Sequence, residues 1–203
     1  MNIGGIANIT WLPAQGTMQG FDTGPGNTLM DTWIKHHLGQ PYDHDGNWAQ
    51  TGTVDTPLLD TLLQDPYFHL PAPKSTGPEY FNSAWLQTYL HSHPASATNV
   101  QTTLLGLTAT TIADNIMRLS GGKSTEVFVC GGGAHNSALM RALESALPGC
   151  SVKTTAALGI DPQQVEAIAF AWLARQTLAG KPGNPGLATG AGRECVLGAI
   201  YPA

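Results

Sequence analysis

Charge is what this 203-residue sequence has least of: Asp, Glu, Lys and Arg together make up 11%, against about a quarter of an ordinary globular chain. Lys and Arg number 9 against 14 Asp and Glu, a formal charge of −5, and no basic cluster gathers locally. Such a chain has no positive field to hold a nucleic-acid backbone. Long hydrophobic runs are also missing. The longest, 167–174, has eight residues, far short of the roughly 20 that a membrane-spanning helix needs. Cysteine is scarce: Cys130, Cys150 and Cys195 are odd in number, far apart and without a CxxC pair. They read as buried, reduced thiols rather than a disulfide framework. The first ten residues carry no basic segment, apolar stretch or cleavage site, so no secretory leader is expected and the expected location is cytoplasmic.

Glycine and proline, by contrast, are plentiful at 24 and 14 residues, and they are spread without period. That excludes collagen and low-complexity linker, and it points to many tight turns and to backbone approached closely by something small. Hydrophobic residues at 42% suffice for one sizeable core or two small domains.

Along the chain, Ile3, Ile6 and Ile9 sit in a glycine-punctuated apolar stretch, 13–17 holds turn residues and 18–21 returns, which predicts a β-hairpin. Residues 22–27 break the strand. Leu29, Met30, Trp33, Ile34 and Leu38 then recur at helical spacing, with Asn27 as expected N-cap. Residues 39–98 are irregular and predict an insertion with short helices at 57–63 and 81–91. A long helix follows, with Asn99 as cap, Asp114 four residues before Arg118, and Gly121-Gly122 as its end. A short strand at 126–130, a Gly131-Gly132-Gly133 turn, a helix carrying Leu139 and Leu143 inward, and a strand at 151–155 come next. Asp161-Pro162 is an expected helix start, with Val165, Ile168, Ala169, Trp172 and Leu173 as its buried face. The stretch 196–200 is apolar enough to dock. This alternation argues for an α/β fold with some parallel strands.

Three places could carry chemistry. Asp22 stands at a strand-to-helix turn beside exposed glycine backbone, where ligand sites of α/β sheets gather. A carboxylate there can accept a proton from an attacking hydroxyl or water, or it can merely form an Asx-turn and cap. Gly131, Gly132 and Gly133 could admit a phosphate or a flat base against the following helix, or be only a tight turn. Asn136 stands where a dinucleotide fingerprint needs glycine, so that fold is not expected. Gly4 and Gly5 form a hairpin tip whose amides could face phosphate oxygens. Other candidates fall away. Gly122-Lys123-Ser124 has Met117 where a phosphate-binding loop needs glycine. Asp43-His44-Asp45-Gly46-Asn47 has its glycine too early for a calcium loop, and His91 and His93 have no evident third metal ligand.

Residues 2–10, Gly20-Phe21-Asp22-Thr23-Gly24-Pro25-Gly26-Asn27 with Met30-Asp31, Ala72-Pro73-Lys74-Ser75-Thr76-Gly77 with Glu79-Tyr80-Phe81-Asn82, 129–136, and Val165-Glu166-Ala167 with Phe170-Ala171-Trp172-Leu173 together resemble the anhydro-N-acetylmuramic acid kinases. The resemblance runs across essentially the whole chain. It implies the sugar kinase, actin and heat-shock ATPase superfamily, and hence an RNase H-like α/β domain, a mixed sheet flanked by helices. It implies an ATP- and Mg²⁺-dependent kinase that opens the 1,6-anhydro ring of its sugar and yields N-acetylmuramic acid 6-phosphate in peptidoglycan recycling. By motif match Asp22 is the general base, Glu166 faces the sugar, Gly4 and Gly5 face phosphate, and Gly131, Gly132, Gly133 and Asn136 form the adenosine turn. Family members begin with a GTSxDGxD-type loop that is not found here. Residues 1–203 are therefore expected to be the second, C-terminal domain, weak or inactive without an N-terminal one. The family likeness also implies a homodimer. The other reading is a non-catalytic half that binds nucleotide or sugar.

Overall fold

The glycine-punctuated N-terminal stretch folds as a three-stranded antiparallel meander. β1 (Asn2–Ile3) turns at Gly4-Gly5 into β2 (Ile6–Trp11), which pairs with β3 (Gln19–Pro25). The computed structural model describes all residues except 124, 185–187, 189, 202 and 203. Ile3, Ala7, Ile9 and Phe21 are buried. The expected strand break at Asp22 does not occur, because β3 runs on to Pro25 with Asp22 inside it, opposite Asn8. A bulge between Ala7 and Asn8 absorbs the irregular register. The outer edge of β3 is covered where the Asp22 N–H donates to the Lys74 carbonyl at 3.0 Å.

α1 (Thr28–Leu38) follows, ending at Gly39 in the left-handed conformation. Asn27 is not its side-chain cap. Its Nδ2 donates instead to the carbonyls of Ile3 and Gly4, at 3.2 and 3.0 Å. Two 3-10 turns (His44–Gly46 and Ala49–Thr51) lead to α2 (Thr56–Leu63), α3 (Pro66–His69) and α4 (Ser83–Leu90). The side chains of Asp55, Asp65 and Asn82 cap these three helices.

α5 (Ala97–Ser120) is the long central helix, capped by Ser96, three residues before the expected Asn99, and ended by Gly121. It packs on β2, β3, α1, α2 and α6. Val100, Leu104, Leu107 and Ile112 are fully or almost fully buried, each worth about 1.5–3 kcal/mol relative to exposure. Arg118 turns to the Asn115 side-chain oxygen, and no Asp114–Arg118 ion pair forms among the described residues.

β4 (Glu126–Val129) and β5 (Ser151–Thr154) pair in parallel around α6 (Ser137–Ala146), whose Leu139 and Leu143 are fully buried. A parallel bridge joins the two sheets. Ile3 N–H donates to the Cys130 carbonyl and Cys130 N–H to the Met1 carbonyl, both at 2.9 Å. The strands therefore lie in the order β3-β2-β1-β4-β5, with β2 alone running against the rest. This is a mixed α/β architecture.

α7 (Val165–Leu178) departs most from expectation. It begins four residues after Asp161, whose carboxylate instead closes a turn by accepting from Gln163 N–H at 2.8 Å. None of its residues is buried; Val165 and Leu173 are half-buried, while Ile168 and Trp172 are exposed. The buried face expected from spacing is not formed: Ala169 is exposed as well, because α7 is apolar around its circumference and its residues gain no full cover from the described residues. The apolar stretch 196–200 is likewise exposed at Val196, Leu197 and Ile200. Among the described residues no helix is long and apolar enough to cross a membrane.

The buried Thr108 hydroxyl of α5 is shared between the Pro25 and Gly26 carbonyls, at 3.1 and 2.9 Å. Thr108→Val keeps the volume and leaves both acceptors without that donor. It should lower unfolding free energy by ~1–3 kcal/mol in urea titration.

Candidate functional site

Asp22 is held by the segment around Lys74. Its Oδ2 accepts from the Ser75 hydroxyl at 3.0 Å and the Thr76 N–H at 2.9 Å, while Oδ1 takes no hydrogen bond from the described residues. One oxygen is thus held by two donors and the other by none of the described residues. The carboxylate opens on a groove of about 420 Å³ lined by Asn8, Thr10, Phe21, Lys74 and Ser75 among others. The Tyr67 hydroxyl donates to the Asp22 carbonyl at 2.9 Å. Burial, and then the Asp22 charge, push the Tyr67 phenol well above its ordinary range, so it stays a donor. Lys74 donates to the carbonyls of Tyr67 and Phe68, at 2.9 and 3.3 Å, and sits 4.6 Å from the Tyr67 ring centre. Burial first, and the Arg118 charge second, pull its ammonium below the ordinary value.

Behind this segment lies Asp65, only 4% exposed. Its carboxylate accepts from Tyr67 N–H, the Tyr80 hydroxyl, Trp85 Nε1 and the Tyr89 hydroxyl, at 2.8–3.0 Å. Four donors compensate the cost of burying the charge. Around them Tyr67, Phe68, Tyr80, Phe81, Trp85 and Tyr89 meet edge to face or tilted, with Phe68 and Phe81 stacked. Burial, followed by the bond to Asp65, pushes the Tyr89 phenol up to about 12.

The glycine segments converge elsewhere. The Gly4 and Gly5 carbonyls accept from the N–H groups of Gly26, Asn27 and Thr28 at 2.8–3.1 Å, which docks the hairpin tip onto the start of α1. Only glycine fits at 26, since a Cβ would strike the Gly4 carbonyl oxygen. Gly131, at φ 83°, passes so close to Asn2 and Ile3 that a Cβ would strike both. Glu166 is exposed, and its Oε1 accepts from Asn2 Nδ2 at 2.6 Å, which ties it to β1 beside the hairpin. The hairpin tip lies three strand residues from Asn8, the partner of Asp22, so Asp22 stands ~10 Å along the sheet from Gly5.

Gly132 and Asn136 line a cavity of about 500 Å³ together with Asn27, Asp31, Tyr42, Asp43 and His135. Asn136 is nine-tenths buried; its Oδ1 caps α6 through Leu139 N–H, and its Nδ2 has no acceptor among the described residues. The segment 43–46 reaches this wall because Gly46, at φ 67°, packs directly against Ala138 and Asn136. Asp43 is buried and accepts from the N–H groups of Trp48 and Ala49, both at 2.9 Å. Burial, and then the Asp43 charge, push Asp31 up to about 6.

The structure thus brings together Gly4, Gly5, Gly131, Gly132, Gly133, Asn136 and Glu166, and sets Asp22 apart in its own groove along the same sheet. Sequence reasoning passed over Asp65, Tyr67 and the wall made by Asp31 and Asp43. Asp43 lay inside the stretch rejected as a calcium loop, which was the one available signal; Asp65 had none, because its four donors are recruited only by folding.

This mixed α/β chain holds the Asp22 carboxylate at one groove and, elsewhere along the same sheet, a cavity lined by Gly132 and Asn136 among others. Comparison with known proteins gives the family. A family profile described as anhydro-N-acetylmuramic acid kinase matches residues 1–203. Over 205 residues the chain is 54% identical to the anhydro-N-acetylmuramic acid kinase of Shewanella pealeana, covering 100% of this chain and 55% of that relative. The chain belongs to the anhydro-N-acetylmuramic acid kinase family, and it spans about half the length of the curated relative it matches.

Asp65→Ala removes the acceptor of four donors and should cost at least ~3 kcal/mol of stability in urea, with Trp85 emission shifting to the red. Asp31, raised in the fold, favours the folded state while protonated. Its contribution is complete below its unfolded value near ~3.9 and is lost as pH rises through about 6. Asp31→Asn should therefore leave the melting temperature nearly unchanged at low pH and raise it above pH ~6, read by thermal melts across that range.

Proposed function

We propose that this chain is the nucleotide- and base-bearing lobe of an ATP-dependent anhydro-N-acetylmuramic acid kinase, an RNase H-like domain of the sugar kinase and actin type. The strand order β3-β2-β1-β4-β5 with β2 alone reversed supports the fold reading. The observation that carries the function is the Asp22 carboxylate at the groove, with Oδ2 fixed by Ser75 and Thr76 and Oδ1 bonded to none of the described residues.

In this reading Asp22 Oδ1 accepts a proton from a water that adds to the anomeric carbon of the sugar. The bond from that carbon to the bridging 6-oxygen breaks, and the released oxygen takes the γ-phosphoryl group while ADP leaves. Fixing Oδ2 orients the carboxylate before the water arrives, so little reorganisation is left for the reaction itself. Gly4 and Gly5 would lie along the phosphates, with their carbonyls already bonded to the start of α1. The 500 Å³ cavity is of a size for a nucleoside, and the Asn136 amide, without an acceptor among the described residues, is a donor on its wall. Mg²⁺, when bound with ATP, neutralises phosphate charge. Glu166, tied to the strand that leads into the hairpin, would face the sugar.

The chain spans 55% of its relative, so a second lobe belongs to the proposal: it would close the phosphate cradle and the sugar site. Homodimer formation and a cytoplasmic place in peptidoglycan recycling follow from the same family likeness. The test is ADP release with Mg-ATP and 1,6-anhydro-N-acetylmuramic acid. The chain alone should give trace turnover. Joined to the remaining part of the Shewanella pealeana kinase it should turn over, and Asp22→Asn should lower kcat by ~10²–10⁴-fold while ATP binding survives. Undiminished turnover in Asp22→Asn would falsify the role given to this carboxylate.

A further inference from the structure

At Asp22 the edge of β3 is bonded to a loop that departs from regular strand pairing. Asp22 N–H donates to the Lys74 carbonyl at 3.0 Å. A parallel strand bonded in this way would return the N–H two residues further on, that of Thr76, to the Asp22 carbonyl. Thr76 N–H goes instead to the Asp22 carboxylate, at Oδ2, 2.9 Å away. The carbonyl is already occupied, because the Tyr67 hydroxyl donates to it at 2.9 Å. The Ser75 hydroxyl adds a second bond to Oδ2 at 3.0 Å. Residues 67–76 thus bond the N–H, the carbonyl and Oδ2 of Asp22, and leave Oδ1 bonded to none of the described residues.

Tyr67 is itself held firmly. It is 5% exposed. Its N–H donates to the buried Asp65 carboxylate at 2.9 Å, and its carbonyl accepts from Lys74 Nζ at 2.9 Å. Its ring meets Phe81 edge to face, with centres 5.4 Å apart. Phenylalanine would supply the same ring and lack only the donor.

We infer that Tyr67 is a positioning residue for Asp22: by occupying the main-chain carbonyl it turns the Thr76 N–H to the carboxylate. This rests on the reading of Asp22 as the base. A carbonyl left free on an edge strand takes the nearest N–H, and Oδ2 would then keep only the hydroxyl of Ser75, an exposed side chain. A carboxylate held by one rotatable hydroxyl samples more orientations than one held by the main chain as well. Misplacing a reacting group by about 1 Å can lower the rate ~10²-fold.

Tyr89 supplies the control, since its hydroxyl also bonds Asp65, at 3.0 Å, and makes no bond to Asp22. Tyr67→Phe and Tyr89→Phe each keep a ring and lose one hydrogen bond, so the two should melt at similar temperatures. In NMR spectra of the 203-residue chain the Thr76 amide proton should move upfield in Tyr67→Phe, as it loses a charged acceptor, and stay in place in Tyr89→Phe. In the chain joined to the remaining part of the Shewanella pealeana kinase, Tyr67→Phe should lower kcat by ~10–10²-fold with KM for Mg-ATP and for the sugar nearly unchanged. In the Asp22→Asn background it should cost nothing further. An unmoved Thr76 signal in Tyr67→Phe overturns the inference. So does an equal fall of kcat in Tyr89→Phe, or a loss in Tyr67→Phe that persists in the Asp22→Asn background, because the tyrosine then supports the fold and not the base. The two readings fail separately. A moved signal without Asp22-dependent turnover keeps Tyr67 as the residue that sets the carboxylate and removes the base; Asp22-dependent turnover with an unmoved signal does the reverse.

Discussion

Two hydrogen bonds hold the site together: Ile3 N–H to the Cys130 carbonyl, and Cys130 N–H to the Met1 carbonyl. They form the isolated parallel bridge between the meander and the β4-β5 pair, and the Met1 amino group extends it by donating to the Phe128 carbonyl at 2.8 Å. Residues more than 120 positions apart in the chain meet there, with the Gly4-Gly5 tip leaving β1 on one side and Gly131 leaving β4 on the other. The glycine at 131 then becomes obligatory, because Asn2 and Ile3 occupy the space a side chain would need. Asn27, Gly26 and the start of α1 are fastened to the same hairpin through the Gly4 and Gly5 carbonyls. A shift of β1 against β4 would separate the hairpin from the turn.

Asp22 depends on a different constraint. Its strand lies at the edge of the sheet, and the edge is closed by the segment around Lys74 rather than by another strand. That segment is rich in proline and polar residues and has little hydrophobic pattern of its own. It is ordered from behind by Asp65 and the aromatic side chains round it. The chain of contacts runs from Asp65 to Tyr67, from Tyr67 to the Asp22 carbonyl and to Lys74, and from Ser75 and Thr76 to the Asp22 carboxylate. A buried carboxylate with four donors is costly to form and stiff once formed, which suits a part whose task is to hold another carboxylate still. The stretch 39–98, read as an insertion because it lacked pattern, includes that support at one end and the Asp43 wall of the larger cavity at the other.

Much of this was legible beforehand. The helices at 28–38, 56–63 and 97–120 follow from apolar spacing and their stop signals, and the glycine turn between β4 and α6 was placed correctly. What misled was the use of single polar residues as local punctuation. Asn27 stands where a cap is expected, yet its amide reaches back to the hairpin; Asn99 does too, yet Ser96 takes the task and Asn99 accepts from Thr53 N–H. Asp161 was read as a cap and closes a turn instead. Each can make either bond, and its choice depends on which partner the folded chain brings near.

By itself, then, the sequence determined what local physics determines: the periods of the helices and strands, the places where only glycine turns, the acidic and charge-poor surface, and the motifs that carry the family likeness. The tertiary structure decided which carboxylate oxygen of Asp22 takes the bonds from Ser75 and Thr76, that Asp31 and Asp43 line one cavity, and that Glu166 is bonded to Asn2. It also decided that no residue of α7, apolar as the helix is, is buried among the described residues. The reason is the same throughout. Periodicity is a property of neighbours along the chain, whereas a hydrogen bond or a buried face needs a partner, and partners are assigned only when distant segments are packed together.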